Sequence, residues 1–101
     1  MEIIYLEKNN LKKIINDEKK ILIDFYANWC GPCKMLGPIL EKHQSNIKVI
    51  KIDTDKFDEL SREYGIMSIP TLVLIENGNE TRQTGGEKHF LNPFMENRIL
   101  D

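Results

Sequence analysis

Cysteine is scarce in this chain: there are two in 101 residues, and they stand three positions apart, at Cys30 and Cys33. Two cysteines cannot build the bridge network that holds small secreted domains together, so stability has to come from a buried core. Histidine is equally sparse. His43 follows Cys33 by ten positions and His89 follows His43 by a further 46, far from the close histidine pair usual in a four-ligand zinc site. Lys34, not histidine, follows Cys33, which excludes covalent haem attachment. Long apolar runs are missing as well, and no stretch approaches the ~20 residues a helix needs to cross a bilayer. Residues 1–7 lack the basic start, apolar region and small-residue cleavage site of a secretory signal, so a cytoplasmic location is expected. In that compartment thiols are kept reduced, and a close cysteine pair is expected to be catalytic or metal-binding before it is a structural bridge. Charge of one sign is not in excess. The net charge is -2 and the basic residues form no run, so neither nucleic acid nor a membrane is an expected partner.

With 30% charged and 41% apolar residues the composition is that of a globular protein, and 101 residues suffice for a single domain over 1–101, by default a monomer. Residues 3–6 form a short apolar run, and Leu11, Ile14 and Ile15 give the spacing of an amphipathic helix. Residues 21–27 are almost continuously apolar, which suits a central strand covered on both faces. Met35, Leu36, Ile39 and Leu40 recur at helical spacing, with Pro38 inside the pattern as an expected kink. A strand at 47–52 and a helix at 57–64 follow, the latter with Phe57, Leu60 and Tyr64 on one side and Gly65 as its stop. A strand beginning at Pro70, the turn Asn77-Gly78 and a weaker strand at 80–84 form a hairpin. Gly85-Gly86 marks a bend, and Asn92-Pro93 opens a closing helix bearing Phe94, Met95, Ile99 and Leu100. Helical crossovers impose parallel pairing early and the hairpin imposes antiparallel pairing late. The expectation is a three-layer α/β fold around a mixed sheet.

Cys-x-x-Cys alone fits redox enzymes and half-built zinc sites alike. Its surroundings are more specific: Asp24-Phe25, Trp29-Cys30-Gly31-Pro32-Cys33-Lys34, Pro38, Lys51, Tyr64-Gly65-Ile66, Ile69-Pro70-Thr71, Asn77-Gly78 and Gly85. Over nearly the whole chain this pattern resembles the thioredoxin family. The resemblance implies a thioredoxin fold, three-layer α/β/α with a central mixed sheet, and a protein-disulfide reductase acting by thiol-disulfide exchange. It implies no cofactor beyond the redox-active pair itself, with thioredoxin reductase and disulfide-containing client proteins as partners.

Within the resemblance Cys30 attacks and Cys33 resolves. The physical case for Cys30 is its place just ahead of a helix, where unpaired N–H groups and the positive end of the helix dipole favour a thiolate, the reactive form. Asp24 interrupts an apolar strand, where a charge is costly unless paired. The resemblance sets it behind Cys33, where it helps move that thiol's proton through buried water, with Lys51 beside it; the residues alone also allow a structural ion pair or a strand end facing water. Burial raises a carboxyl pKa and a neighbouring lysine lowers it, and sequence does not weigh the two. Pro70 is implied to be cis, with the Ile69 backbone pairing to an extended client segment. Trp29, Gly31, Pro32, Ile66 and Gly85 are implied to surround it as a flat, mostly apolar landing surface. By residue type alone Trp29 fits a core position as well. The chain departs from the family pattern in Tyr26 for a tryptophan, in Ser68, in a Pro38 to Lys51 interval shorter by about one turn at ~1.5 Å per residue, and in the Asn92-Pro93 break. Two other functions use the same features: a dedicated electron donor to one client enzyme, and a non-redox binding subunit with incidental cysteines.

Overall fold

In the computed structural model, which describes residues 2–42 and 47–85, the chain runs β1 (Glu2–Tyr5), α1 (Leu11–Asn16), β2 (Lys20–Tyr26), α2 (Gly31–Lys42), β3 (Lys48–Asp53), α3 (Asp58–Glu63), β4 (Thr71–Glu76) and β5 (Asn79–Thr84). The strands form one sheet in the order β1-β3-β2-β4-β5. β3 pairs in parallel with both β1 and β2, whereas β4 pairs antiparallel with β2 and β5, so the sheet is mixed as expected. Asn77 (φ 52) and Gly78 (φ 83) both take the left-handed conformation that a two-residue hairpin of matching twist requires. The closing helix expected after Asn92-Pro93, together with Gly86, His43 and His89, lies outside the described residues.

Alternation along β2 divides the core. Ile21, Ile23 and Phe25 point to one face, where they pack with Leu11 of α1, Leu60 of α3 and Ile50, Ile52, Val73 and Ile75 of the sheet. Leu22 points to the other face and packs with Leu36 and Leu40 of α2, Val49, Leu72 and Leu74. Because side chains alternate with a period of two, Asp24 and Tyr26 share the α2 face with Leu22. The central strand is thus sheathed on both sides, as its unbroken apolar run predicts.

α2 departs from its sequence pattern in one respect. Leu36 and Leu40, four apart, are buried and define the inward stripe, but Met35 is 63% exposed. A single sheet covers one face of the helix, and Met35 lies about 100° around the axis from Leu36. Pro38 sits inside α2 on its exposed side.

α3 ends in a pair of reversed hydrogen bonds. Gly65 N–H donates to Arg62 O at 2.9 Å and Ile66 N–H donates to Ser61 O at 3.0 Å, with Gly65 at φ 65. This closing turn requires a left-handed residue, which explains the glycine, and it delivers Ile66 to the start of the loop before β4.

Candidate active site

The loop after β2 leaves from the carboxyl end of the central strand, and it carries Cys30 straight into α2, whose first turn holds Cys33. Cys30 is the residue before the first turn of α2, and its N–H donates to Ala27 O at 3.2 Å. Cys30 and Cys33 are joined in a disulfide with their Cα atoms 5.3 Å apart. Both are nearly buried, at 5% and 4% exposure, so burial does not distinguish them. Their electrostatics do. The Cys33 N–H donates to Cys30 Sγ at 3.2 Å, and the Lys34 N–H donates to Cys30 O at 3.3 Å. A negative charge on the Cys30 sulfur therefore faces an amide donor at the positive end of a helix of 12 residues.

Asp24 lies on the same face of the sheet, 1% exposed, with neither carboxylate oxygen accepting a hydrogen bond among the described residues. Lys51, its register partner on β3, brings Nζ to 3.7 Å of Asp24 Oδ2. That distance is an ion pair and too long for a hydrogen bond, so it is the charge of Lys51 that opposes burial. Burial wins: the Asp24 carboxyl is raised from 3.8 to about 6.

The loop before β4 faces the disulfide. The Ile69-Pro70 peptide is cis, and Ile69 O lies 3.8 Å from Cys30 Sγ. Thr71 Oγ1 donates to Ser68 O at 2.7 Å and lies 3.3 Å from Thr84 Oγ1, while the Gly85 N–H donates to Pro70 O at 2.9 Å. Ser68, Pro70 and Gly85 are thereby tied to the β4–β5 hairpin. Gly85 has φ 104, a conformation side-chain-bearing residues rarely adopt.

Trp29 is 69% exposed, so it is not a core residue. Its indole N–H donates to Asp55 Oδ2 at 2.8 Å. Between Trp29 and Ile69 runs a shallow cleft of about 240 Å³, lined also by Asp55, Asp58, Arg62 and Ile66. Gly31 and Pro32 are exposed at the start of α2. The implied apolar landing surface is thus apolar on the cysteine side and charged along the α3 side, where Arg62 pairs with Asp58.

Sequence reasoning passed over Asp53 and Asp55. Asp53 Oδ1 accepts from the Asp55 N–H at 2.9 Å and the Lys56 N–H at 3.3 Å, a side-chain turn that fixes the acceptor for Trp29. The cluster Asp53-Thr54-Asp55 directly after a strand was the available signal. It also passed over Tyr5, whose ring lies beside Lys51 and meets Tyr26 edge-on at 6.2 Å. No signal in one sequence links residues 5 and 51. Among the described residues no group of three or more His, Cys, Asp or Glu could hold a metal ion, and no helix is long and apolar enough to cross a membrane.

The thioredoxin family model matches residues 2–97. A thioredoxin of Mycoplasmoides gallisepticum is 46% identical over 74 residues, which cover 70% of this chain and 74% of that protein. A bifunctional thioredoxin reductase/thioredoxin of Mycobacterium leprae is 38% identical over 79 residues, 74% of this chain and 17% of that longer protein. Among solved structures, a mutant thioredoxin from Halobacterium salinarum superposes with a TM-score of 0.81 at 36% identity, covering 95% of this chain and 89% of that one. With sequence and fold both matched around the bridged cysteines, the chain belongs to the thioredoxin family and is a dithiol-disulfide oxidoreductase.

Proposed function

We propose that the chain reduces disulfides of client proteins and is recharged by a thioredoxin reductase, acting as one domain over 1–101, as a monomer in the reducing cytoplasm. The observation that carries the assignment of roles is the Cys33 N–H aimed at Cys30 Sγ, 3.2 Å away at the head of α2. It stabilises a thiolate on Cys30 and not on Cys33, which makes Cys30 the attacking residue. The Cys30 thiolate bonds to one client sulfur, the client bond breaks, and its electron pair leaves on the second client sulfur, which takes up a proton. Cys33 then loses its thiol proton to the Asp24 carboxylate. The resulting thiolate attacks Cys30 Sγ, breaks the mixed disulfide and frees the first client sulfur. Two electrons have moved to the client, and the reductase returns two to the pair.

Asp24 suits the acceptor role because a carboxyl titrating at about 6 is mostly ionised at neutral pH yet far more basic than a solvated one. Lys51 keeps it from titrating higher still. An extended client segment would pair with the backbone of Ile69 beside Pro70, with Trp29, Gly31, Pro32, Ile66 and Gly85 around it, a strand-addition mode that reads the client through its main chain. A reductase partner is supported by the Mycobacterium leprae relative, whose name joins the two activities.

The direct test is a Cys33→Ser variant incubated with disulfide-bearing proteins. The expected result is a stable mixed disulfide between Cys30 and the client, released by added thiol. Absence of any adduct on Cys30, with full activity in a Cys30→Ser, Cys33→Ser double variant, would replace this reading with a non-redox binding function.

A further inference from the structure

Lys51 is a long flexible side chain, yet it is only 11% exposed and its ammonium lies 3.7 Å from a carboxylate that is itself 1% exposed. A single ion pair at that distance does not fix a lysine, whose four-carbon stem carries about 2 kcal/mol of rotamer entropy. Two aromatic rings do the rest. Lys51 Nζ stands 4.7 Å from the centroid of the Tyr26 ring and 5.4 Å from that of Tyr5, both within the ~6 Å range of a cation–π contact. The two rings meet edge to face, with centroids 6.2 Å apart and planes at 82°, so each orients the other. All four side chains stand on one face of three adjacent strands, because Tyr5 and Asp24 are both register partners of Lys51. Tyr26 also packs against the cluster of Ala27, Cys30 and Cys33.

We propose that Tyr5 and Tyr26 are positioning residues for the exchange reaction: their rings cradle the Lys51 ammonium and hold it against Asp24, behind the cysteine pair. The inference rests on the proposed role of Asp24 as proton acceptor, and it explains why Tyr26 is aromatic although it is not part of the sealed core. The titratable groups around this ammonium are Asp24 and Tyr26 from β2, Tyr5 from β1 and Asp53 on its own strand; Cys30, just ahead of α2, and Cys33, in its first turn, pack against Tyr26 as a disulfide, and β4 contributes apolar Leu72 opposite Asp24. Asp24 is therefore the carboxylate that gains most from a fixed Lys51. A lysine freed from the cradle reaches water and leaves Asp24 more often unaccompanied, which shifts the titration of Asp24 upward.

The test is a double-mutant cycle read on the oxidised protein, where the cysteines do not titrate. The Asp24 carboxyl is followed by carbon NMR in the starting protein, Tyr26→Leu, Lys51→Met and the combination. Tyr26→Leu is expected to raise the Asp24 midpoint by about half a pH unit, the size of one exposed cation–π contact on that scale. In the Lys51→Met background the same change is expected to move it hardly at all. Tyr26→Phe, which keeps the ring, is expected to leave the midpoint in place, and Tyr5→Leu, at a side chain 56% exposed, provides a second variant that opens no core. Equal shifts with and without Lys51, no shift in either background, or a Phe variant that behaves like Leu would each overturn the cradle. A midpoint that moves while the pH profile of disulfide reduction stays fixed leaves the contact with Lys51 standing but overturns the role of Asp24, and with it the part of the two tyrosines in the exchange, so the two readings fail separately.

Discussion

Asp24 is ionised at neutral pH at the expense of the fold. Its carboxyl is raised from 3.8 to about 6, so the folded state holds its proton more tightly than the unfolded chain does. For such a group the stabilising contribution is complete below 3.8 and is lost as pH rises through about 6, a difference on the order of 3 kcal/mol. Asp24→Asn removes this dependence. Urea unfolding at pH 4 and pH 8 is expected to show the Asn variant gaining on the starting protein by roughly 2.5 kcal/mol between the two values, since part of the effect is already lost at pH 4. The same variant is expected to reduce disulfides more slowly from neutral to mildly alkaline pH, where Asp24, the proposed base, is ionised. Equal rates over that range would contradict its role. Asp24 could be singled out in the sequence because it breaks an apolar strand. The outcome of burial against Lys51 could not, since it depends on a 3.7 Å separation and on 1% exposure. Nor could the exposure of Trp29, which is set by an acceptor 26 residues away.

Elements position these residues through packing and termini. α2 is anchored by Leu36 and Leu40, and it presents its amino end to Cys30. Leu36→Ala, at a fully buried side chain, is expected to lower stability by about 2 to 5 kcal/mol in chemical denaturation, while Met35→Ala on the exposed side should change it by less than ~0.5. The turn after α3 is a second control point. Gly65→Ala forces a Cβ into the left-handed region at a cost of about 1 kcal/mol, measurable as a lower denaturation midpoint. The order and type of the described elements were legible because periodicity and turn chemistry agree in each of them, as at Asn77-Gly78. The exposure of Met35 was not legible, because four apolar residues at 35, 36, 39 and 40 span more of the helix surface than one sheet can cover.

For the molecule as a whole, the question is whether the cysteine bridge holds the fold or is carried by it. Among the described residues, most buried side chains form two apolar layers, one on each face of a five-stranded sheet, and neither layer includes the sulfurs. A bridge between residues three apart closes a very short loop, and chain entropy assigns such a loop only about 2 kcal/mol. Reduction is therefore expected to lower the thermal midpoint by several degrees and leave the far-ultraviolet circular dichroism of the folded protein unchanged. A protein that unfolded on reduction would have a structural bridge and could not cycle. Whether this pair passes two electrons to protein disulfides is read in NADPH-coupled reduction of insulin in the presence of a thioredoxin reductase. Sustained NADPH consumption that Cys30→Ser abolishes is expected; consumption unchanged by Cys30→Ser, or none with the unaltered chain, would rule out a reductase that works through Cys30.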